Sequence, residues 1–116
     1  MELDQLPVID WEQAVKLAGG NRALAEEMLN LLTRSLPCDL ISIKQHFEDQ
    51  NYPEMLRRVH KLHGALCYCG LPRLKSVVAH LETALKSNIM DNLPSLLKQF
   101  DTEANSLLER YSCQNT

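Results

Sequence analysis

The chain has 116 residues, enough for one domain around a single core. A net charge of -3 and a pI near 5.8 exclude the clustered basic excess of a nucleic-acid surface, and 45% hydrophobic with only 5% aromatic residues favours helix packing over a β-sandwich. No apolar run approaches the roughly 18 residues that cross a bilayer, and no secretory leader pattern opens the chain, so a soluble domain with reduced thiols is expected.

Asp10 is a good N-cap, with Gln13 at the capping-box position, and Gly19-Gly20 stops the short helix it opens. Asn21 caps a second run whose inner face is expected to be Leu24, Met28, Leu31, Leu32 and Ser35. Pro37 should interrupt or kink it. The stripe resumes with Leu36, Leu40, Ile43 and Phe47 and ends in Glu48-Asp49-Gln50-Asn51. Pro53 opens a third helix with Met55, Val59, Leu62, Leu66 and Cys69 on one stripe, and Gly70 closes it. Leu71-Pro72 begins the next, with Leu74, Val77, Val78, Leu81, Ala84 and Leu85 inward and Arg73, Ser76, His80 and Thr83 opposite, up to Ser87-Asn88. The last helix runs from about Asn92 to Tyr111, with a stripe through Leu93, Leu97, Phe100, Ala104 and Leu107 wide enough for a bundle core. No segment alternates with a strand's period. The expected fold is all-α: an antiparallel up-down four-helix bundle over residues 9–112, with a short additional N-terminal helix across one end. Residues 1–8 read as a linker and 113–116 as a tail.

His60 departs from this pattern. At about 100° per residue, His60, Gly64 and Cys67 fall roughly 110–170° from the centre of the apolar stripe of their helix. Gly64, one turn on, costs a helix interior up to about 1 kcal/mol against Ala. An outward imidazole beside a missing side chain is suited to a partner's approach. A neutral imidazole is a competent nucleophile, and phosphoryl transfer asks little of the acceptor beyond an exposed, aimed nitrogen. Nε2, farther from the backbone, is the expected acceptor atom. His63, about 60° around the helix, is placed to hydrogen-bond a phosphoryl group on His60.

The run His60-Lys61-Leu62-His63-Gly64, followed by Gly70, Leu74 and Leu81-Glu82, resembles the signature of histidine phosphotransfer (HPt) domains, especially the C-terminal ones of hybrid sensor kinases of the BarA/GacS type. Ile9-Asp10-Trp11 and the Leu17–Asn21 turn extend the likeness over nearly the whole chain. The resemblance implies a phosphocarrier without kinase activity, which takes a phosphoryl group on His60 from a receiver-domain aspartate and passes it to a response regulator. The partners are then receiver domains, with Mg²⁺ on the receiver and no cofactor on this chain. Such a module is cytoplasmic, whether free or part of an inner-membrane sensor kinase. His63 stands where the common pattern has Lys, which replaces a permanent charge with a titratable one.

Two other readings use the same residues. His60, His63 and Cys67 share a narrow arc at metal-ligand spacings, although no fourth ligand is evident. A purely protein-binding bundle is the other. For docking, Ile41, Leu71 and Pro72 offer a small apolar contact, Cys67 lies beside His60, and Arg57 and Lys61 bring positive charge. Cys69 should pack as a small hydrophobe. The four glycines, Gly19, Gly20, Gly64 and Gly70, form no phosphate-cradling loop.

Overall fold

The computed structural model describes residues 5–114, with side chains to Tyr111. It holds five helices: α1 (Trp11–Leu17), α2 (Arg22–Glu48), α3 (Tyr52–Leu66), α4 (Pro72–Lys86) and α5 (Leu93–Gln114). No strand occurs among the described residues. Residues 1–4 of the expected linker and 115–116 of the expected tail lie outside the described residues, Val8 is buried in the core, and 113–114 continue α5.

The caps explain where the helices begin. Asp10 accepts from the Gln13 amide, Asn21 from Leu24 and Asn51 from Glu54, each satisfying an otherwise orphaned N–H. α4 starts without a side-chain cap, on the preset φ of Pro72. Each of α2, α3 and α4 packs on its successor in the chain, and α5 returns to α2, closing the up-down bundle. Leu29, Leu36, Ile43, Met55, Val59, Leu66, Leu74, Leu81, Leu93, Phe100 and Leu107 fill its axis.

α2 departs from expectation in two respects. Pro37, with its ring on the exposed side, does not interrupt it. Burial of Leu36, Leu40 and Ile43 on both flanks of the proline offsets its cost of about 3 kcal/mol. Its inner stripe also begins on Ala25 and Leu29 rather than on Leu24, Leu31 and Ser35, which are exposed. Ala25 meets Ala14 and Ala18 of α1, and these small side chains let the first two helices approach closely. A reading weighted toward leucines missed that contact.

Gly70 does more than end α3. Its φ of +65° is left-handed, and a Cβ there would lie 2.7 Å from the Asp10 carbonyl oxygen and 2.8 Å from Ala14. The Asp10 amide donates to the Gly70 carbonyl at 2.9 Å, so this glycine seats α1 against the α3–α4 turn. Arg73, expected on the polar side of α4, instead reaches α5, where its guanidinium donates to the buried Glu103 at 2.9 Å.

Candidate phosphoacceptor site

Val59 and Leu62 anchor α3 in the core, which turns the residue between Val59 and Lys61 outward: the His60 side chain is 70% exposed. From α4, Leu81 and Leu85 pack inward and carry Glu82 to the α3–α4 seam, where its side chain is only 7% exposed. Glu82 Oε2 lies 2.5 Å from His60 Nδ1, and Oε1 lies 2.8 Å from Nδ1 of the half-buried His63. Lys86, one turn further along α4, donates to Oε2 at 3.1 Å.

Burial works against the charged form of Glu82, but hydrogen bonds from His60, Lys86 and His63, with the Lys86 charge, outweigh it and hold the carboxyl at about 2. An ionised carboxylate only accepts, so both Nδ1 atoms carry the proton they donate. In a neutral ring with its proton on Nδ1, the lone pair is on Nε2, the nitrogen not engaged by Glu82, and the side chain that carries it is 70% exposed. One turn on, a Cβ added at Gly64 would meet no heavy atom within 4 Å. Nothing inside the domain requires glycine there. The space it leaves open is on the surface beside His60.

The model for the family described as Hpt domain matches residues 27–110 of this chain. The chain belongs to the Hpt domain family. It is 41% identical to the sensor protein GacS of Pseudomonas syringae pv. syringae over 81 residues, 70% of this chain and 9% of that protein. It is 33% identical to the signal transduction histidine-protein kinase BarA of Escherichia coli K12 over 95 residues, 80% of this chain and 10% of that protein. The chain thus spans about a tenth of the length of these relatives. Among solved structures it is similar to the HPT domain of a hybrid histidine kinase from Shewanella, with a TM-score of 0.75 and 28% identity over 96% of this chain and 97% of that one. The HPt fold is therefore the all-helical bundle described above.

The expected site residues fare unequally. His60, His63 and Gly64 come together at one seam, with Lys61 and Arg57 exposed beside them and Arg57 3.6 Å from Glu54. Cys67 is half-buried at the C-cap of α3. The metal reading is not supported. Both imidazoles spend Nδ1 on Glu82, and no three His, Cys, Asp or Glu side chains among the described residues are placed to hold an ion. The docking role expected of Leu71 is also wrong: it is 1% exposed, drawn into the core because it joins α3 to α4 above Leu66 and Leu74. Ile41 is exposed, but Cys69, next to the turn before Pro72, packs at Met28, about 20 Å along α2 from Ile41 at 1.5 Å per residue. Ile41 and Pro72 therefore form no common dock.

An apolar groove of about 260 Å³ lies instead between α2 and α3, lined by Met28, Leu31, Leu32, Ala65, Tyr68 and Cys69. Leu31 and Tyr68 are both more than half exposed, and Tyr68 follows Gly64 by one turn. Cys69 is buried at the groove's floor, donates to the Ala65 carbonyl, and has its thiol pushed up to about 11 by burial, as a small packing residue would. From the sequence, Glu82 is marked only by the resemblance, and nothing singles out Lys86. The available signal was a lone acid inside the apolar stripe of α4, since a buried carboxylate needs partners.

Proposed function

We propose that this domain is the phosphocarrier of a bacterial multi-step phosphorelay, with His60 accepting a phosphoryl group from the aspartyl phosphate of one receiver domain and passing it to a response regulator. One observation carries this reading: an exposed imidazole whose Nδ1–H is committed to an ionised carboxylate, so that Nε2 alone is presented as nucleophile.

In the forward step the Nε2 lone pair forms a P–N bond as the P–O bond to the receiver's aspartate breaks. The aspartate leaves as carboxylate. The ring keeps its Nδ1 proton and gains positive charge, which Glu82 stabilises at hydrogen-bond distance. Return transfer reverses the charge flow, and Glu82 needs no proton exchange in either direction. Glu82 is thus a positioning residue, and His63 steadies it through the second oxygen. The receiver supplies Mg²⁺ with its own acidic residues, and this chain contributes no kinase chemistry and no cofactor.

Gly64 admits the receiver's loops, the α2–α3 groove meets its apolar surface, and Arg57 and Lys61 favour its acidic rim. Such docking is transient and small, because the partner must leave after transfer. The domain acts on the cytoplasmic side, within a longer sensor kinase or free of it. No helix among the described residues is long and apolar enough to cross a membrane.

The test is incubation with a receiver domain charged by a small acyl phosphate, followed by mapping of acid-labile, base-stable phosphate. His60 takes the label, and His60→Gln takes none while keeping its helical content. Label retained in His60→Gln would move the acceptor elsewhere.

A further inference from the structure

The family pattern has Lys where this chain has His63, and the structure brings an ammonium from another helix to the carboxylate that His63 engages. Lys86 and His60 share one oxygen of Glu82, so the ammonium sits within two hydrogen bonds of the imidazole. We propose that Lys86 is the phosphoryl-binding cation of this site: once Nε2 of His60 is phosphorylated, its ammonium turns from Glu82 Oε2 to a phosphoryl oxygen. This inference rests on phosphorylation of His60.

Three features of the site support the assignment. The Lys86 side chain is 58% exposed, so its four-carbon stem is free to swing, whereas His63 is 28% exposed and already tied to Oε1. Releasing Lys86 leaves Glu82 with its two imidazole donors, so the buried carboxylate is not stranded. Charge balance also favours the swing. Before loading, Glu82 is the anion that holds Lys86 at the seam; after loading, the phosphoryl group adds up to two negative charges, while the ring's new positive charge answers Glu82. Of the cations on the helix that carries His60, Arg58 is paired with Asp39 of α2 at 3.0 Å, Arg57 lies against Glu54, and Lys61 is on the α2 side, lining a hollow with Asp39 and Arg58. The other titratable groups of this seam are His63 of α3 and Glu82 of α4, and Arg57, Lys61 and Cys67 stand within two turns of His60 along the chain.

The transfer step needs no receiver to test. Phosphoramidate supplies the phosphoryl group: its P–N bond breaks as the bond to Nε2 forms, and ammonia leaves. Wild type, Lys86→Gln and Lys86→Arg are loaded in this way, and the second ionisation of the phosphoryl group is followed by ³¹P NMR against pH. A unit charge about one hydrogen-bonded contact away, in a largely solvated setting, lowers that midpoint by about half a unit to one unit. Lys86→Gln is expected to raise the midpoint by that amount, and Lys86→Arg to restore it. Raising ionic strength to about 1 M should shrink the difference. Equal midpoints in wild type and Lys86→Gln overturn the assignment of Lys86 while leaving His60 as acceptor. Failure of the wild type to load at His60 overturns both.

Discussion

Gly64→Ala and Gly64→Gln separate the demands of the fold from those of the partner. Gly64 lies in the last turn of α3 with an ordinary helical backbone, and an added Cβ meets open space. Within the domain, then, only helix propensity is at stake. Replacing glycine by alanine in a helix interior gains about 0.5–1 kcal/mol, and a last-turn position belongs at the lower end of that range. For a domain of this size, about 0.5 kcal/mol raises Tm by roughly 2–4 °C. Transfer should move the other way. In Gly64→Gln the introduced side chain would occupy the approach to Nε2 one turn below His60, and a misplacement of about 1 Å in the reacting atoms costs on the order of 100-fold in rate. Thermal melting followed by circular dichroism, with rapid-quench transfer from a phosphorylated receiver, reads both quantities on the same samples. Gly64→Ala is expected to melt higher and transfer more slowly, and Gly64→Gln to transfer slowest of the three. A lower Tm for Gly64→Ala would mean that the glycine serves the fold, and wild-type transfer by Gly64→Gln would remove the clearance argument.

Glu82 links the site to acid stability. Its folded value of about 2 lies below its ordinary 4.5, so its contribution is fully present above the ordinary value and is lost as pH falls from about 5 toward 2. At 1.36 kcal/mol per unit the contribution near neutrality is at most about 3 kcal/mol. Urea titrations should show Glu82→Gln less stable than wild type at pH 7, with the gap narrowed by about half at pH 3; a gap independent of pH refutes the linkage. The same variant should transfer more slowly, because a neutral amide no longer stabilises charge on the phosphorylated ring, and an unchanged transfer rate would deprive Glu82 of its role. Gly70→Ala forces a left-handed φ on alanine and drives a Cβ onto the backbone of Asp10 and Ala14, so a loss of at least about 2 kcal/mol is expected. Faster hydrogen exchange in α1 should accompany it, and a loss under about 0.5 kcal/mol in urea would contradict the close contact.

Period and capping made most of the fold legible before any coordinates. The stripes of α3, α4 and α5 are strongly periodic, and Asp10, Asn21 and Asn51 cap with their own side chains, so each of those boundaries depends on residues close in sequence. His60 was legible for the same reason, because its angle from the stripe is a local quantity. Where the reading failed, the deciding contact came from elsewhere in the chain. α2 turned on Ala25 because α1 supplied matching alanines, and Leu71 went inward because two helices meet over it. The exposed Leu31 and Tyr68 became one groove only when α2 lay against α3.

The site divides along the same line. Sequence alone determined that the His60 imidazole faces outward and that a glycine follows it one turn later, since helical geometry relates residues four apart without reference to the rest of the molecule. Side-chain geometry already favours Nε2 as the nitrogen farther from the backbone, but only the tertiary structure supplies the partner that engages Nδ1. Glu82 and Lys86 stand 22 and 26 positions beyond His60 on a different helix, and only the packing of α4 against α3 places their charges on its Nδ1 side.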